Sequence, residues 1–354
     1  MLADKPALKV AALACALLPC TMSAATSLAP TPPSVLAPYI VDGEFRPGDY
    51  YWLRGMFEGA TPKQIADYRE IEAWRGACFR SDVAAVRAEL KDVGVIAGPE
   101  LDRMPYATVI CGQVASLPER LDAADWSGFS RDVAITRPTI DGFLDAVRLS
   151  GNIGLADSDD FGPALIARAL EDQTLRAGLA WSANPDAFKG TRGDLSSRQR
   201  SIFRAAISVA LTQKDHENTG WLKQQVAKRG WPKKSEVGRL AAKMAWLLVQ
   251  HADADPVFQV RALRLMEPLV ANGEVEGSDF AFLLDRIMLK ISSKQRYGTQ
   301  LECTNGRLEP LPLQDINEVA SRRRAVGLND LDAYKAETLK AIGGCETEPS
   351  ASKD

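Results

Sequence analysis

Between residues 237 and 251 the side chains Val237, Leu240, Ala241, Met244, Leu247, Leu248 and His251 recur at intervals of three, four and seven. An α-helix brings such positions onto one face, and Phe280, Leu283, Leu284, Ile287 and Ile291 repeat the spacing. The pattern also runs through Leu165, Ile166, Ala169 and Leu170, through Ile202 to Leu211 and through Trp221 to Val226, which predicts three helices ahead of these two. No alternating run is long enough to demand a large sheet, and no repeat of fixed period is present. The second half of the chain therefore reads as an all-helical bundle.

The first half is less regular. Thr61-Pro62 opens a helix carrying Ile65, Tyr68, Ile71 and Trp74, which the spacing ends near Gly76. Ser81 and Asp82 are candidate caps for a second helix, with Val83, Ala85, Val86 and Leu90 on one side and Gly94 as its stop. Together they predict a helical hairpin. Residues 94 to 160 carry scattered Pro and Gly with short apolar pieces such as Ala107 to Ile110, and short strands around 105 to 135 stay open. The fold class expected is mainly α, a helical bundle C-terminal domain over 160–345 with a smaller helical or mixed N-terminal unit over 49–155. The boundary between them falls near Gly151 to Gly162, and 346–354 reads as a disordered tail.

At the N-terminus, Lys5 and Lys9 precede the apolar stretch Val10 to Leu18 and the small residues Ser23, Ala24 and Ala25. That order is a secretory signal peptide over 1–25, and it predicts a periplasmic or secreted protein. The apolar run is about half of the ~20 residues a bilayer-spanning helix needs, so no membrane span is expected. Cys15 and Cys20 fit a lipoprotein signal poorly. Residues 26–48, rich in Pro, Ala, Ser and Gly, read as a flexible lead-in. Four cysteines remain in an oxidising compartment, Cys78, Cys111, Cys303 and Cys345. Of their three pairings the local ones, Cys78 with Cys111 and Cys303 with Cys345, are favoured, each stapling one end of the chain; four buried thiols are the alternative.

A formal charge of -3 from 43 Lys and Arg against 46 Asp and Glu leaves no electrostatic footprint for nucleic acid. With only two histidines a multi-histidine zinc centre would need carboxylates or thiolates to complete it. There is no G-x-S-x-G elbow, phosphate-binding glycine loop or H-E-x-x-H motif, and nothing calls for a cofactor or metal.

The motifs Asp172-Gln173-x-x-Arg176, Asn218-Thr219, Gly230-Trp231-Pro232, Gln250-His251-Ala252-Asp253, Asp285-Arg286 and Tyr297-Gly298-Thr299-Gln300 come in that order, closed by Arg322-Arg323 and Gly327-Leu328. The stretch from about 160 to 335 resembles the bacterial family called domain of unknown function 6624. That resemblance implies motif positions and a domain outline but no reaction.

His251 ends the apolar stripe of its helix, where a titratable ring either caps carbonyls or enters a site. Asp253, two residues on, could orient the ring or take its proton, which makes His251 and Asp253 the candidate general acid and base. Asp255 would add an oxygen to a sparse metal-ligating set. Asp172 and Arg176, four apart on one helix, form an ion pair or face a polar ligand. Asp285 and Arg286 point about a hundred degrees apart, so one of them is structural. Candidate ligand-binding residues are Asp172, Arg176, Gln250, Arg286, Tyr297 and Gln300. Two functions follow: a protein of the cell envelope that binds a polar small molecule or an envelope protein, or an envelope enzyme using His251 and Asp253.

Overall fold

The computed structural model describes residues 29–121, 125–154, 160–183 and 195–345. The expected signal peptide and the expected C-terminal tail lie outside them. The chain is mainly α-helical. Helices α1 (Pro62–Asp92), α2 (Val109–Ala115), α3 (Trp126–Gly154), α4 (Phe161–Ala183) and α5 (Ser197–Arg229) come first. Then follow α6 (Lys234–Val237), α7 (Arg239–Gln250), α8 (Pro256–Val270), α9 (Gly277–Ser292), α10 (Ile316–Ala325) and α11 (Leu331–Ile342). Two antiparallel hairpins, β1 (Ile40–Val41) with β2 (Glu44–Phe45) and β3 (Leu301–Thr304) with β4 (Arg307–Pro310), and four short 3-10 helices, Ser34–Tyr39, Tyr51–Met56, Pro99–Arg103 and Pro118–Arg120, are the other elements of the described residues. The strands thus fall outside the 105 to 135 region, whose described residues form α2, a short 3-10 turn over Pro118–Arg120, the start of α3 and the loops between them.

Thr61 starts α1 with a full capping box: its side chain accepts from Gln64 N, and the Gln64 side chain accepts from Thr61 N. The helix then runs without a break past Gly76, where the sequence predicts its end. A mid-helix glycine costs only about 1 kcal/mol, and burial of Ile71, Trp74, Cys78, Val83, Val86 and Leu90 along the helix outweighs it. Asp82, read as a cap, is buried and accepts from Thr108 N at 2.9 Å and Thr108 Oγ1 at 2.7 Å, tying the approach to α2 against α1. In the same way Ile202 to Val226 forms one helix, α5, capped by Ser196 and Gln199. It ends at Gly230, whose φ of 78° places it in the left-handed region, and Trp231 then packs into the core.

Residues 29–48, expected as a mobile lead-in, are instead folded against the bundle. Leu36 and Phe45 are buried, and Trp74 Nε1 donates to Pro30 O at 2.8 Å. The apolar residues hidden among the prolines supply the anchor that composition does not show. The two expected disulfides are present, Cys78–Cys111 joining α1 to α2 and Cys303–Cys345 joining β3 to the segment after α11.

Two apolar cores form. One packs Leu36, Trp52, Leu53 and Trp74 with Phe129, Val133, Phe203 and Ile207; the other packs Leu90, Leu165, Leu222, Leu248, Phe258 and Leu283. Helices α1, α4 and α5 contribute to both, so each core draws on both sides of the boundary read near residues 151–162. No helix among the described residues is long and apolar enough to cross a membrane.

Candidate functional site

Three helix segments meet around one guanidinium. Asp172, fully buried on α4, and Arg176, one turn later, face Asp215 on α5 and His251 at the C-terminal end of α7. Arg176 Nε lies 3.0 Å from Asp172 Oδ1 and 3.0 Å from His251 Nδ1, and one of its terminal nitrogens lies 2.6 Å from Asp215 Oδ1. His251 Nδ1 is also 2.8 Å from Asp172 Oδ2, which accepts from Gln173 Nε2 at 2.8 Å as well.

The protons in this cluster can be assigned. Burial pushes the Asp172 carboxyl up, but bonds and charge from His251, with Arg176 and Gln173, outweigh it and hold it down at about 2. Asp172 is therefore an ionised acceptor at neutral pH. A contact of 2.8 Å between it and Nδ1 requires the proton on Nδ1, which leaves the Arg176 Nε–H to Asp172 Oδ1. The other ring nitrogen, Nε2, has no partner among the described residues and is not sealed from solvent. Asp215 behaves oppositely: burial, reinforced by the Asp172 charge and opposed by Arg176, pushes its carboxyl up to about 8.

His251 and Asp215 line a cleft of about 480 Å³ between α2, α5 and the turn from α7 to α8. His216, Lys223, Tyr106 and Arg120 share its walls, so both histidines of the chain border one cavity. Gly112, on the α2 wall, is packed so closely that an added Cβ would lie 3.3 Å from the Thr212 methyl on α5. The ligand-type atoms of Asp172, Asp215 and His251 all lie within 4.8 Å of one another, close enough to hold a small metal ion. Arg176 reaches all three and already supplies the positive charge there, so these residues do not fit a cation while it stays in place.

Asp253 lines the cleft but is not the partner of His251. It accepts from Arg286 Nε at 2.8 Å, and a terminal nitrogen of Arg286 and Lys290 Nζ close on the same carboxylate. Burial would raise its carboxyl; the two cations hold it well below the usual range. Lys290 is pushed down by burial in spite of Asp253, and it also donates to Gln259 Oε1 at 3.3 Å. Arg286 thus braces the turn that follows α7. Asp255 caps α8 by accepting from Phe258 N at 2.8 Å, and pairs with Lys223 at 2.6 Å.

Tyr297 and Gln300 lie in a separate structural knot. The buried carboxylate of Asp285 accepts from the backbone of Arg296, Tyr297 and Thr299 and from Thr299 Oγ1. Buried Arg323 donates to Tyr297 O at 2.7 Å, and Tyr334 donates to Thr299 O at 2.9 Å. Gly298, with φ of 70°, makes the turn that lets these bonds form. Gln300 Nε2 donates to Thr299 Oγ1 at 3.2 Å. Neither Tyr297 nor Gln300 lines the cleft, and Gln250 is buried beside it without lining it.

Of the candidates, the structure brings Asp172, Arg176 and His251 together, pairs Asp253 with Arg286 next door, and sets Gln250, Tyr297 and Gln300 apart. Asp215 was missed. Its signal was the polar run Asp215-His216-Glu217-Asn218 inside a long helix, where four consecutive polar residues must include some that point inward.

The chain is thus a mainly helical protein with a buried Asp–Arg–Asp–His cluster at the edge of a cleft. Its residues 193–344 match the model of a family of unknown function (DUF6624), a span that contains Asp215, His251, Asp253 and Arg286, with Asp172 and Arg176 upstream of it. No curated protein and no solved structure matches the chain.

Proposed function

We propose that the cleft binds a polar small molecule and that His251, oriented by Asp172, exchanges a proton with it, making the protein an acid–base enzyme. One observation carries this reading: a fully buried, ionised carboxylate holds Nδ1 of His251 at 2.8 Å, while Nε2 of the same ring stays open beside a cleft of about 480 Å³. A carboxylate behind an imidazole fixes the tautomer and stabilises the charge the ring gains on accepting a proton. Asp215, whose carboxyl keeps its proton at neutral pH, supplies a donor on the same wall, so the two members of an acid–base pair have their proton affinities set apart. Asp253, held by two cations, serves as scaffold in this scheme.

The N-terminal pattern of Lys5, Lys9 and Val10 to Leu18 supports export, and two disulfides among the described residues suit an oxidising envelope compartment. We therefore place the substrate outside the cytoplasm. The test uses the His216→Gln variant, in which His251 is the sole histidine. Nitrogen-15 NMR of the neutral ring should show Nδ1 protonated and Nε2 bare, and Asp172→Asn should lose that preference. A screen of chromogenic esters, phosphoesters and glycosides should then give a turnover that His251→Ala abolishes. A ring protonated on Nε2 would refute the assignment. An Nδ1-protonated ring whose removal leaves turnover intact would reduce the cleft to a binding site.

A further inference from the structure

A second cavity, of about 560 Å³, lies on the other core, and its chemistry differs from that of the cleft. Its walls are apolar, built from Phe45, Val133, Ile140, Leu144 and Val209. Into it comes one buried amide, Gln113 on α2, which is 2 % exposed. Gln113 Nε2 donates to Val209 O at 3.3 Å. Because a backbone carbonyl only accepts, that bond fixes which end of the amide is nitrogen. The other end, Oε1, is buried and has no hydrogen-bond partner among the described residues. A buried acceptor in this state is costly to fold around unless something donates to it.

Tyr50 adds a second polar group. Its ring is 3 % exposed and lines the same cavity, yet its hydroxyl has no partner among the described residues and is not sealed off. Burial pushes the phenol well above its usual range, so it remains a neutral donor. The charged side chains of its lining, Glu44, Arg46, Arg137 and Asp141, are all exposed: Arg46 pairs with Glu44 at 3.4 Å, and Arg137 donates to Gly48 O at 2.7 Å. A charged ligand would leave its charge unpaired inside this cavity. The volume falls in the range of ordinary small-molecule sites, which are mostly apolar with a few placed polar groups.

We propose that this cavity binds a neutral, mainly apolar molecule with one hydroxyl or amide head that donates to Gln113 Oε1 on a small turn of that buried amide into the cavity, the Tyr50 hydroxyl serving as second polar contact. The site is separate from the acid–base cleft and does not depend on it.

Fluorescence titration of the full chain with 2-naphthol tests this, with 2-methoxynaphthalene as the probe that lacks the donor. Saturable binding is expected, with 2-naphthol about tenfold tighter, the scale of one hydrogen bond. Gln113→Leu should bring the two probes to parity and Ala210→Trp, on the wall, should abolish binding of both. Should Gln113→Leu fail to fold, Tyr50→Phe keeps the ring and should weaken 2-naphthol several-fold while leaving the methoxy probe unchanged. The proposal is overturned if neither probe saturates, if both bind equally to the unaltered chain, if binding survives Ala210→Trp, if the preference survives Gln113→Leu, or if Tyr50→Phe leaves it undiminished.

Discussion

Replacing Asp215 by Asn should change how stability depends on pH. In the folded chain burial holds this carboxyl up at about 8, whereas in the unfolded chain it loses its proton near 3.8. Between those values the folded state binds more protons than the unfolded one, so stability falls as pH rises. A difference of about four pH units, at ~1.4 kcal/mol each, sets a ceiling near 6 kcal/mol. The side chain is 27 % exposed and lies 2.6 Å from Arg176, so solvent and the guanidinium reduce that figure; a net effect of about 2 kcal/mol is expected. Asparagine mimics the protonated carboxyl and cannot titrate. Urea unfolding from pH 4.5 to 8.5 should therefore show the unaltered chain losing about 2 kcal/mol relative to the variant as pH rises. Asp172, depressed to about 2, contributes stability that is present above 3.8 and lost as pH falls towards 2, outside this range. Parallel curves would refute the reasoning. A variant that loses ground as pH rises would mean that Asp215 is an ordinary ionised partner of Arg176.

Asp172→Ala leaves the Arg176 guanidinium and the His251 ring without their shared acceptor, and should cost about 3–5 kcal/mol in urea unfolding at pH 7. Asp253→Ala should cost less, about 2–3 kcal/mol, since a quarter of that side chain is exposed; the nitrogen-15 spectrum of His251 should stay unchanged, because Asp253 does not hold the ring. Asp285→Ala should release the 296–299 turn, read as faster amide exchange at Tyr297 and Thr299. Replacing Cys78 and Cys111 by Ala opens a loop of sequence separation 33, worth about 4 kcal/mol of chain entropy in the unfolded state, and should lower the melting temperature accordingly.

What the sequence makes legible here is whatever depends on near neighbours. The end of α7 at Gln250, the cap of α1 at Thr61, the left-handed Gly230 and the two local disulfides are each encoded within a few tens of residues. Where a local signal competes with burial, it misleads. Gly76 and Ser81 read as the end and the start of two helices, but a continuous apolar face on α1 overrides them; the prolines between 30 and 48 suggest slack chain, but Leu36 and Phe45 pin it down.

The same contrast explains the site. Asp253 stands two residues from His251, so a reading along the chain joins them. Yet the turn after α7 swings Asp253 towards α9, where Arg286 and Lys290 wait, while the ring turns to α4. The carboxylate that governs His251 is 79 positions away in sequence, and Asp215 is 39 from the Arg176 that binds it. Nothing in a single sequence encodes such a pairing directly; it exists only once α4, α5 and α7 pack side by side. The sequence does carry an indirect mark. Burying Asp172 without a cation would cost several kcal/mol, so a carboxylate set among Ala169, Leu170 and Leu175 demands a partner, and Arg176 on the next turn is the first half of the answer. The second half is an imidazole at a helix end with one nitrogen free, which in the function proposed above lets a satisfied ion pair serve a site that moves a proton.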